Sequence, residues 1–330
     1  MKNTVPKVSI IVPIHNAGER LNACLDTLIN QTLRSIEIIL VLDCPTDGSD
    51  VIAKQYADKD KRIIILENDT NLHIGYSRNR GIEVATGEFI GFSDHDDYRE
   101  LSMYEELYSK AVTDNSYLVM SYQFDSEVEL ARFNEQSDIF DIKPKETLLS
   151  DLIGFGNIEG YGASFVNITN NIYKNELIKS NDIRFVDTTK ITPEDVLFQI
   201  ECIYYASKIS ILKKSFYYHI SHDSNEGGNY SYIGYEKRSA GIAQIYSFIK
   251  DKDIFELYRD SFYRGVTKQF LNAITGTIYP EMSICKFIKA VKHLRSYPFC
   301  KTAFTNYSLP TSKNRIINRI VRNFLVSIMK

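Results

Sequence analysis

The chain has 330 residues, of which 44% are hydrophobic and 25% charged, so we expect a packed core in one large domain with an appendage or in two domains, and disorder is excluded. Its formal net charge of −3 gives no support for broad nucleic-acid binding. No run of about 18 apolar residues occurs, so the sequence predicts no membrane-spanning helix.

Strand and helix signals alternate along the first half of the chain. Short β-branched apolar runs are typical of buried strands, and apolar residues at helical spacing are typical of amphipathic helices. The predicted elements are strands at 8–14, 36–42, 62–66 and 88–93, and helices at 21–29, 49–56 and 76–85. This alternation predicts right-handed crossovers and a mostly parallel sheet flanked by helices.

Polar clusters follow three of the predicted strands, at residues 13–16, 43–49 and 94–97. In parallel sheets of this kind, ligands bind beyond the carboxyl ends of the strands. Loops that carry function at one edge of a sheet are best explained by a shared site. We therefore expect the three clusters to form one binding site.

The third cluster contains closely spaced carboxylates. If the chain stays extended after the strand, Asp94 and Asp96 point to the same side and His95 points away. Two carboxylates so close together repel each other, shift a pKa or recruit a cation, and oxygen ligands favour Mg²⁺ or Mn²⁺. The alternative reading is a solvated acidic turn that caps the next helix.

Four segments then resemble a known family: VSIIVPIHN, EIILVLDCPTDGS, SRNRGIEVATGEFIGFSDHDDY and PEDVLF. In this order and spacing they resemble the family 2 glycosyltransferases, which have the GT-A fold. The resemblance covers residues 7–225. It implies an α/β, Rossmann-like GT-A domain at 1–227 and a helical C-terminal region at 228–330.

The activity that this resemblance implies is inverting transfer of a sugar from a nucleotide-diphosphate sugar, with UDP as the favoured nucleotide. The acceptor would be a hydroxyl of a glycan or of a lipid-linked molecule in bacterial surface polysaccharide synthesis. The family motifs also imply a set of donor-binding residues in this chain: Pro13, Ile14, Asn16, Asp43, Arg78, Asp94 and Asp96. Asp43 would recognise the nucleobase, and Arg78 would lie near the base and diphosphate. Residues 42–45 depart from the usual DDGS loop, which leaves the identity of the base open.

The resemblance assigns the metal site to the DxD motif. Asp96 would be the direct ligand of Mn²⁺ or Mg²⁺, and Asp94 would lie nearer the ribose. His219 or His222 would contact phosphate or complete the metal site, although packing or surface roles remain open for both. Residues 226–229 are suited to a mobile lid.

The general base implied by the resemblance is Asp195, which begins a predicted amphipathic helix. A carboxylate that accepts the acceptor's proton on the face opposite the leaving group gives displacement with inversion. Acidic residues are also favoured at helix N-termini for structural reasons, so the alternative role of Asp195 is that of a helix cap, with Glu194 as the next candidate base. Residues 171–177 resemble the acceptor-side helix of the family.

The C-terminal residues 311–330 contain basic and apolar residues and no acid. They predict a basic amphipathic helix that binds an anionic membrane surface, or a helix that docks on its own protein or on a second subunit in a homodimer. No signal peptide is visible, and the odd count of five cysteines without metal-like spacing fits reduced thiols. We therefore expect a cytoplasmic protein, peripheral on the inner face of the membrane where the helix binds it.

Two other functions stay open. A nucleotidyltransferase uses a similar sheet and paired acids but does not need the Glu194–Asp195 element. A catalytically inactive homologue would hold a nucleotide sugar without turnover, and the altered loop at 42–45 keeps that alternative open. A dinucleotide-binding Rossmann domain is disfavoured because no GxGxxG motif follows the first strand.

Overall fold

The computed structural model describes residues 5–122, 145–154, 167–220, 232–272, 289, 292–307 and 327. The predicted alternation of strands and helices in the first half is confirmed. Its elements, in chain order, are β1 (Val8–Ile14), α1 (Arg20–Ile29), β2 (Ile36–Leu42), α2 (Ser49–Lys59), β3 (Ile63–Glu67), α3 (His73–Val84) and β4 (Phe89–Phe92).

Shorter strands and helices follow. They are β5 (Tyr98–Arg99), α4 (Met103–Asp114), β6 (Leu118–Tyr122), α5 (Lys145–Ile153), β7 (Asn171–Lys174), α6 (Asn175–Ser180), α7 (Glu194–Tyr205), β8 (Ile209–Ser215), β9 (Tyr217–Tyr218), α8 (Tyr232–Asp251), α9 (Phe255–Asn272) and α10 (Pro298–Asn306). The expected helix at 171–177 is wrong in its first part. Residues Asn171–Lys174 form a strand because they pair with β4 and β6 on either side.

The central sheet has seven strands in the order β3-β2-β1-β4-β7-β6-β8. β7 is antiparallel to both of its neighbours, and the other paired strands are parallel. Every residue of β1 and β2 is buried, as expected for strands covered on both faces. The mostly parallel sheet flanked by helices is therefore confirmed, and β1, β2 and β4 end at the same edge.

Close packing brings α3 against the sheet. Gly81 of α3 faces β1 so closely that a Cβ atom there would overlap the side chain of Ile11. A nearby aromatic cluster includes Phe92 at the end of β4, Phe198 of α7, and Phe185, which lies between α6 and α7. The rings of Phe185 and Phe198 are stacked with centroids 4.1 Å apart. This packing fixes α3, β4 and α7 relative to one another. Polar residues of the site described below lie on α3, on α7 and in the loop that follows β4.

Two compact units divide the chain. The first comprises Met1–Glu146, Ala163–Thr188 and Glu194–His222 and contains the whole seven-stranded sheet. The second comprises Thr147–Gly162, Thr189–Pro193 and Asp223–Lys330. Its described part contains α8, α9 and α10, whose packed rings include Tyr246, Phe262 and Phe299.

Several predictions fall on residues outside the described part of the chain. They are His222, the lid at 226–229, the domain boundary at 227–228, and most of the C-terminal helix at 311–330. Among the helices that are described, none is long and apolar enough to cross a membrane.

Candidate active site

The acidic loop, defined here as residues 93–97, follows β4 at the edge of the sheet. The expected extended backbone is wrong here, because β4 ends at Phe92 and a turn forms at His95 and Asp96. The turn is held by contacts from outside it. The backbone N–H of Asp94 donates to the hydroxyl of Tyr217 at 3.1 Å, and Nδ1 of His95 lies 3.1 Å from the carbonyl oxygen of Pro13.

A buried arginine supports the acidic loop from within the fold. Arg99 is 2% exposed and donates from Nη2 to Ser93 Oγ at 2.7 Å and to the Asp97 carbonyl oxygen at 3.1 Å. These two acceptors lie at the start and the end of the loop. Arg99 therefore fixes both ends of the segment that carries Asp94 and Asp96.

Arg78 joins the acidic loop to the N-terminus of α7. It projects from α3, is 2% exposed, and donates from Nη2 to Asp94 Oδ1 at 3.0 Å. Its Nη1 donates to Asp195 Oδ1 at 2.7 Å and lies 3.5 Å from Glu194 Oε1. The guanidinium also lies over the ring of Phe185, 5.1 Å from its centroid. Residues that are far apart in sequence thus form one charged cluster.

Asp195 lies in the first turn of α7, with Val196, Leu197 and Ile200 buried beneath it as the predicted apolar stripe. Its side chain is 24% exposed, and only Oδ1 is bonded to Arg78. Burial raises the pKa of the Asp195 carboxyl to about 7, while Arg78 opposes the rise and Glu194 adds to it. A carboxylate held in this way can accept a proton near neutral pH.

Asp97 differs from the other acids of the loop. It is 1% exposed, and its carboxylate accepts a hydrogen bond from the backbone N–H of Ile220 at 2.9 Å. Nδ1 of His219 lies 3.3 Å from the same carboxylate. Asp97 therefore anchors the chain after β9, and His219 is placed beside the acidic loop.

The loops after β1 and β2 meet at the same edge. Pro13 and Ile14 end β1 and are buried, while Asn16 is exposed with φ of 53°. Asn16 Oδ1 accepts a hydrogen bond from the backbone N–H of Thr46 at 2.8 Å. Ser49 Oγ accepts hydrogen bonds from the backbone of the first loop and so ties it to α2. The predicted donor residues of the first two loops are therefore neighbours.

Asp43 is the first residue of the second of these loops and lies inside the protein. It is 3% exposed, and Oδ1 accepts hydrogen bonds of 2.7 Å from Asn68 Nδ2 and from the backbone N–H of Leu72. The carbonyl oxygen of Asp43 lies 2.6 Å from Nδ1 of His15. The side chain is thus held from two directions at the end of β2.

Comparison with known proteins identifies the family. The family model for Glycosyl transferase family 2 matches residues 9–178, more than half of the chain. The chain belongs to glycosyltransferase family 2. The putative glycosyltransferase EpsH of Bacillus subtilis (strain 168) is 30% identical over 258 residues, which cover 77% of this chain and 72% of that protein.

Solved structures share the fold of this family 2 glycosyltransferase. The crystal structure of S. aureus TarS 1–349 in complex with UDP-GlcNAc has a TM-score of 0.72 at 22% identity and covers 97% of this chain and 88% of the other. The mannosyltransferase PcManGT from Pyrobaculum calidifontis, in complex with GDP-Man and Mn²⁺, has a TM-score of 0.55 at 12% identity and covers 99% and 87%. The fold is therefore GT-A, as the resemblance implied.

The acidic loop of this glycosyltransferase fits a divalent cation in part. Asp96 is partly exposed and forms no hydrogen bond or ion pair with the described residues. Burial raises the pKa of Asp97, and the nearby Asp94 and Asp96 carboxylates add to the rise. No group of three or more His, Cys, Asp or Glu in the described part of the chain could hold a metal. The protein would therefore supply one or two carboxylates, and other ligands would have to come from a substrate or water.

Sequence reasoning missed three residues of this site: Asn68, Arg99 and Tyr217. Each acts through a side chain that contacts another element rather than through a motif. None of the three was named as a site residue from the sequence. Asn68 lies 25 positions from Asp43 and Tyr217 lies 123 positions from Asp94, so no local pattern signals these two residues. Arg99 bonds Ser93 only six positions away, but it does so across a turn that the sequence did not predict.

Proposed function

We propose that the protein is an inverting, metal-dependent glycosyltransferase that uses a nucleotide-diphosphate sugar, with UDP as nucleotide, and a hydroxyl acceptor. One observation carries the proposal. Arg78 binds Asp94 of the acidic loop at 3.0 Å and Asp195 of α7 at 2.7 Å, so a donor-side acid and a candidate base share one guanidinium. A nucleotidyltransferase has no need for the second of these acids.

The donor would lie along the edge formed by the loops after β1, β2 and β4. In this proposal Pro13, Ile14 and Asn16 contact the base and ribose, and Asp43 binds the base. Two facts support this placement: the loops contact each other through Asn16 and Thr46, and the ends of parallel strands are where such folds bind nucleotides. TarS, which shares the fold, binds UDP-GlcNAc.

Arg78 has a different role here from the one its motif implies. Its guanidinium is buried and engaged with carboxylates, so we propose that it orients Asp94 and Asp195 rather than binding the diphosphate. A planar guanidinium with donors on both terminal nitrogens can hold two carboxylates in fixed positions at once. This arrangement keeps the base at a set distance from the donor-side acid.

Asp195 would act on the acceptor. Because Oδ1 is bonded to Arg78, Oδ2 is the oxygen that can accept a hydrogen bond and then the proton from the acceptor hydroxyl. A positioned carboxylate of this kind contributes about 10²–10⁴-fold to the rate. Attack by the acceptor oxygen breaks the bond between the anomeric carbon and the diphosphate and inverts the anomeric configuration. Glu194 is the second choice for the base, since its carboxylate lies farther from Arg78.

Asp96 and Asp94 would hold Mn²⁺ or Mg²⁺ together with the diphosphate. When bound, such a cation would neutralise the negative charge that develops on the departing diphosphate. His222 would be an additional contact to the metal or phosphate. The mannosyltransferase with the same fold binds Mn²⁺ with its nucleotide sugar.

For the acceptor we propose a glycan or a lipid-linked molecule of bacterial surface polysaccharide synthesis. The basic C-terminal residues 311–330 would bring the cytoplasmic enzyme to an anionic membrane where such acceptors reside, or would form a homodimer contact.

The test is a thermal-shift screen of nucleotide sugars with Mn²⁺ or with a chelator, followed by donor turnover and by NMR of the anomeric configuration of the product. A ligand that binds only the folded state raises the melting temperature. We expect a metal-dependent shift with a UDP-sugar and an inverted product. Binding of nucleotide triphosphates with release of pyrophosphate would contradict the proposal, and so would a retained anomeric configuration.

A further inference from the structure

The carboxylate of Asp43 has two oxygens in different situations. Oδ1 accepts hydrogen bonds from Asn68 Nδ2 and from the backbone N–H of Leu72, both at 2.7 Å. Oδ2 accepts none from the described residues, and it is not among their buried, unpaired polar atoms. Since two donors fill the lone pairs of Oδ1, Asp43 offers a ligand a single acceptor oxygen.

The orientation of the Asn68 amide is fixed by its other neighbours. Asn68 is 7% exposed, and its Oδ1 accepts a hydrogen bond from Nη1 of Arg80. A guanidinium group can only donate hydrogen bonds, so the atom of the Asn68 amide that faces Arg80 must be the oxygen. The amide nitrogen must therefore face the opposite way, where it donates to Asp43 and to Ser77 Oγ at 3.0 Å. The backbone of Asn68 is held as well, because its carbonyl oxygen accepts from Cys44 Sγ at 3.2 Å.

We propose that Asn68 is a positioning residue that makes the base site selective for uracil and unfavourable for guanine. The inference depends on the proposed function, in which Asp43 binds the donor base. Uracil offers one ring N–H between two carbonyls, which matches the single free oxygen of Asp43. Guanine offers two adjacent N–H donors, which pair best with both oxygens of a carboxylate. In Asp43 the oxygen Oδ1 is already occupied by the donors of Asn68 and Leu72, so guanine would lack its second acceptor.

The same fixed donors determine what an isosteric change at Asp43 does. Asn68 Nδ2 and the Leu72 N–H both require an acceptor, so the amide of Asp43→Asn must direct its oxygen toward them. Its NH₂ group then replaces Oδ2 at the ligand side. Cytosine has an unprotonated ring nitrogen where uracil has an N–H, so this variant is expected to prefer CDP over UDP.

The experiment is calorimetric titration of UDP, CDP and GDP, with Mn²⁺ present, into the full chain and its variants. We expect the wild type to bind UDP at least about 10-fold more tightly than GDP, and Asn68→Ala to reduce this ratio by about 10-fold. Asp43→Asn should reverse the order of UDP and CDP. Asn22→Ala is the matched control, because the side chain of this partly buried asparagine of α1 bonds only Glu19 among the described residues and lies on a different element from Asp43.

The outcomes separate the inference from the proposed function. Failure of the wild type to bind any of these nucleotides would overturn both. Nucleotide binding with an unchanged UDP-to-GDP ratio in folded Asn68→Ala would overturn the inference alone. A wild type that prefers GDP would overturn the inference together with the choice of UDP in the proposed function. If circular dichroism shows that Asn68→Ala does not fold, Asp43→Asn decides, and an undiminished preference for UDP over CDP counts against the inference.

Discussion

Arg78 and Asp195 lie 117 positions apart in sequence, yet Nη1 of the arginine is 2.7 Å from Oδ1 of the aspartate. The other terminal nitrogen of Arg78 binds Asp94, so one guanidinium links α3, the acidic loop and α7. The arginine is 2% exposed, whereas the two aspartates are 24% and 31% exposed. The charge that joins the cluster is therefore inside the protein, and the carboxylates it holds can reach a ligand.

Replacing Arg78 by methionine should lower both stability and activity. The change leaves carboxylates without their buried partner, which costs about 3–5 kcal/mol in the free energy of unfolding. Urea denaturation measures this loss. Lys54→Met is the matched control, because with the described residues Lys54 forms only exposed ion pairs, worth about 0–1 kcal/mol. Equal stability of the two variants would contradict the structural role of Arg78.

Asp195→Asn should bind donor as the wild type does but lose transfer. Removal of a positioned base lowers the rate by about 10²–10⁴-fold, whereas the isosteric amide keeps the shape of the site. Single-turnover transfer and calorimetric donor binding measure the two effects. Glu194→Gln is the comparison, and its transfer rate should fall by less than about 10-fold. The reverse ranking would assign the base to Glu194.

The pH dependence of transfer should follow the Asp195 carboxyl, whose pKa burial raises to about 7. A base must be unprotonated, so kcat/KM should fall as the pH decreases through about 7. Asp195→Asn should remove this acidic limb from whatever residual activity remains. A value of kcat/KM that stays constant between about pH 5 and about pH 8 would show that no such group limits the reaction.

Stability should change in the opposite direction over the same range. Because the folded pKa of Asp195 lies above the ordinary value of 3.8, the folded state binds more protons than the unfolded state between about 4 and about 7. The contribution of Asp195 to stability is therefore full at low pH and is lost as the pH rises through about 7. Urea denaturation of the wild type and of Asp195→Asn at several pH values measures the contribution of Asp195 to the free energy of unfolding.

Substitutions at Asp96 and Asp94 should affect metal binding and stability differently. Asp96 forms no ion pair with the described residues, so Asp96→Asn should leave the melting temperature unchanged while it weakens Mn²⁺-dependent donor binding. Asp94→Asn removes a charged hydrogen bond to Arg78 and should lower the free energy of unfolding by about 1–2 kcal/mol. Undiminished Mn²⁺-dependent binding in Asp96→Asn would exclude Asp96 as a metal ligand.

Much of the fold followed from sequence because its signals are local. The apolar runs that became β1 and β2 and the apolar stripe of α7 report on neighbouring residues and their period. The segment Asn171–Lys174 was misjudged because its strand form depends on β4 and β6, which lie on either side of it only in the folded protein. Strand pairing over such distances leaves little trace in a short window.

The sequence by itself determined the alternation of strands and helices, the family, and the identity of the acids that follow the strands. Only the tertiary structure decided how those acids are used. It bent the acidic loop into a turn, placed Arg78 between Asp94 and Asp195, and set Asn68 against one oxygen of Asp43. The physical reason is that hydrogen bonds and ion pairs depend on distances of about 3 Å, and these arise only when distant segments pack together.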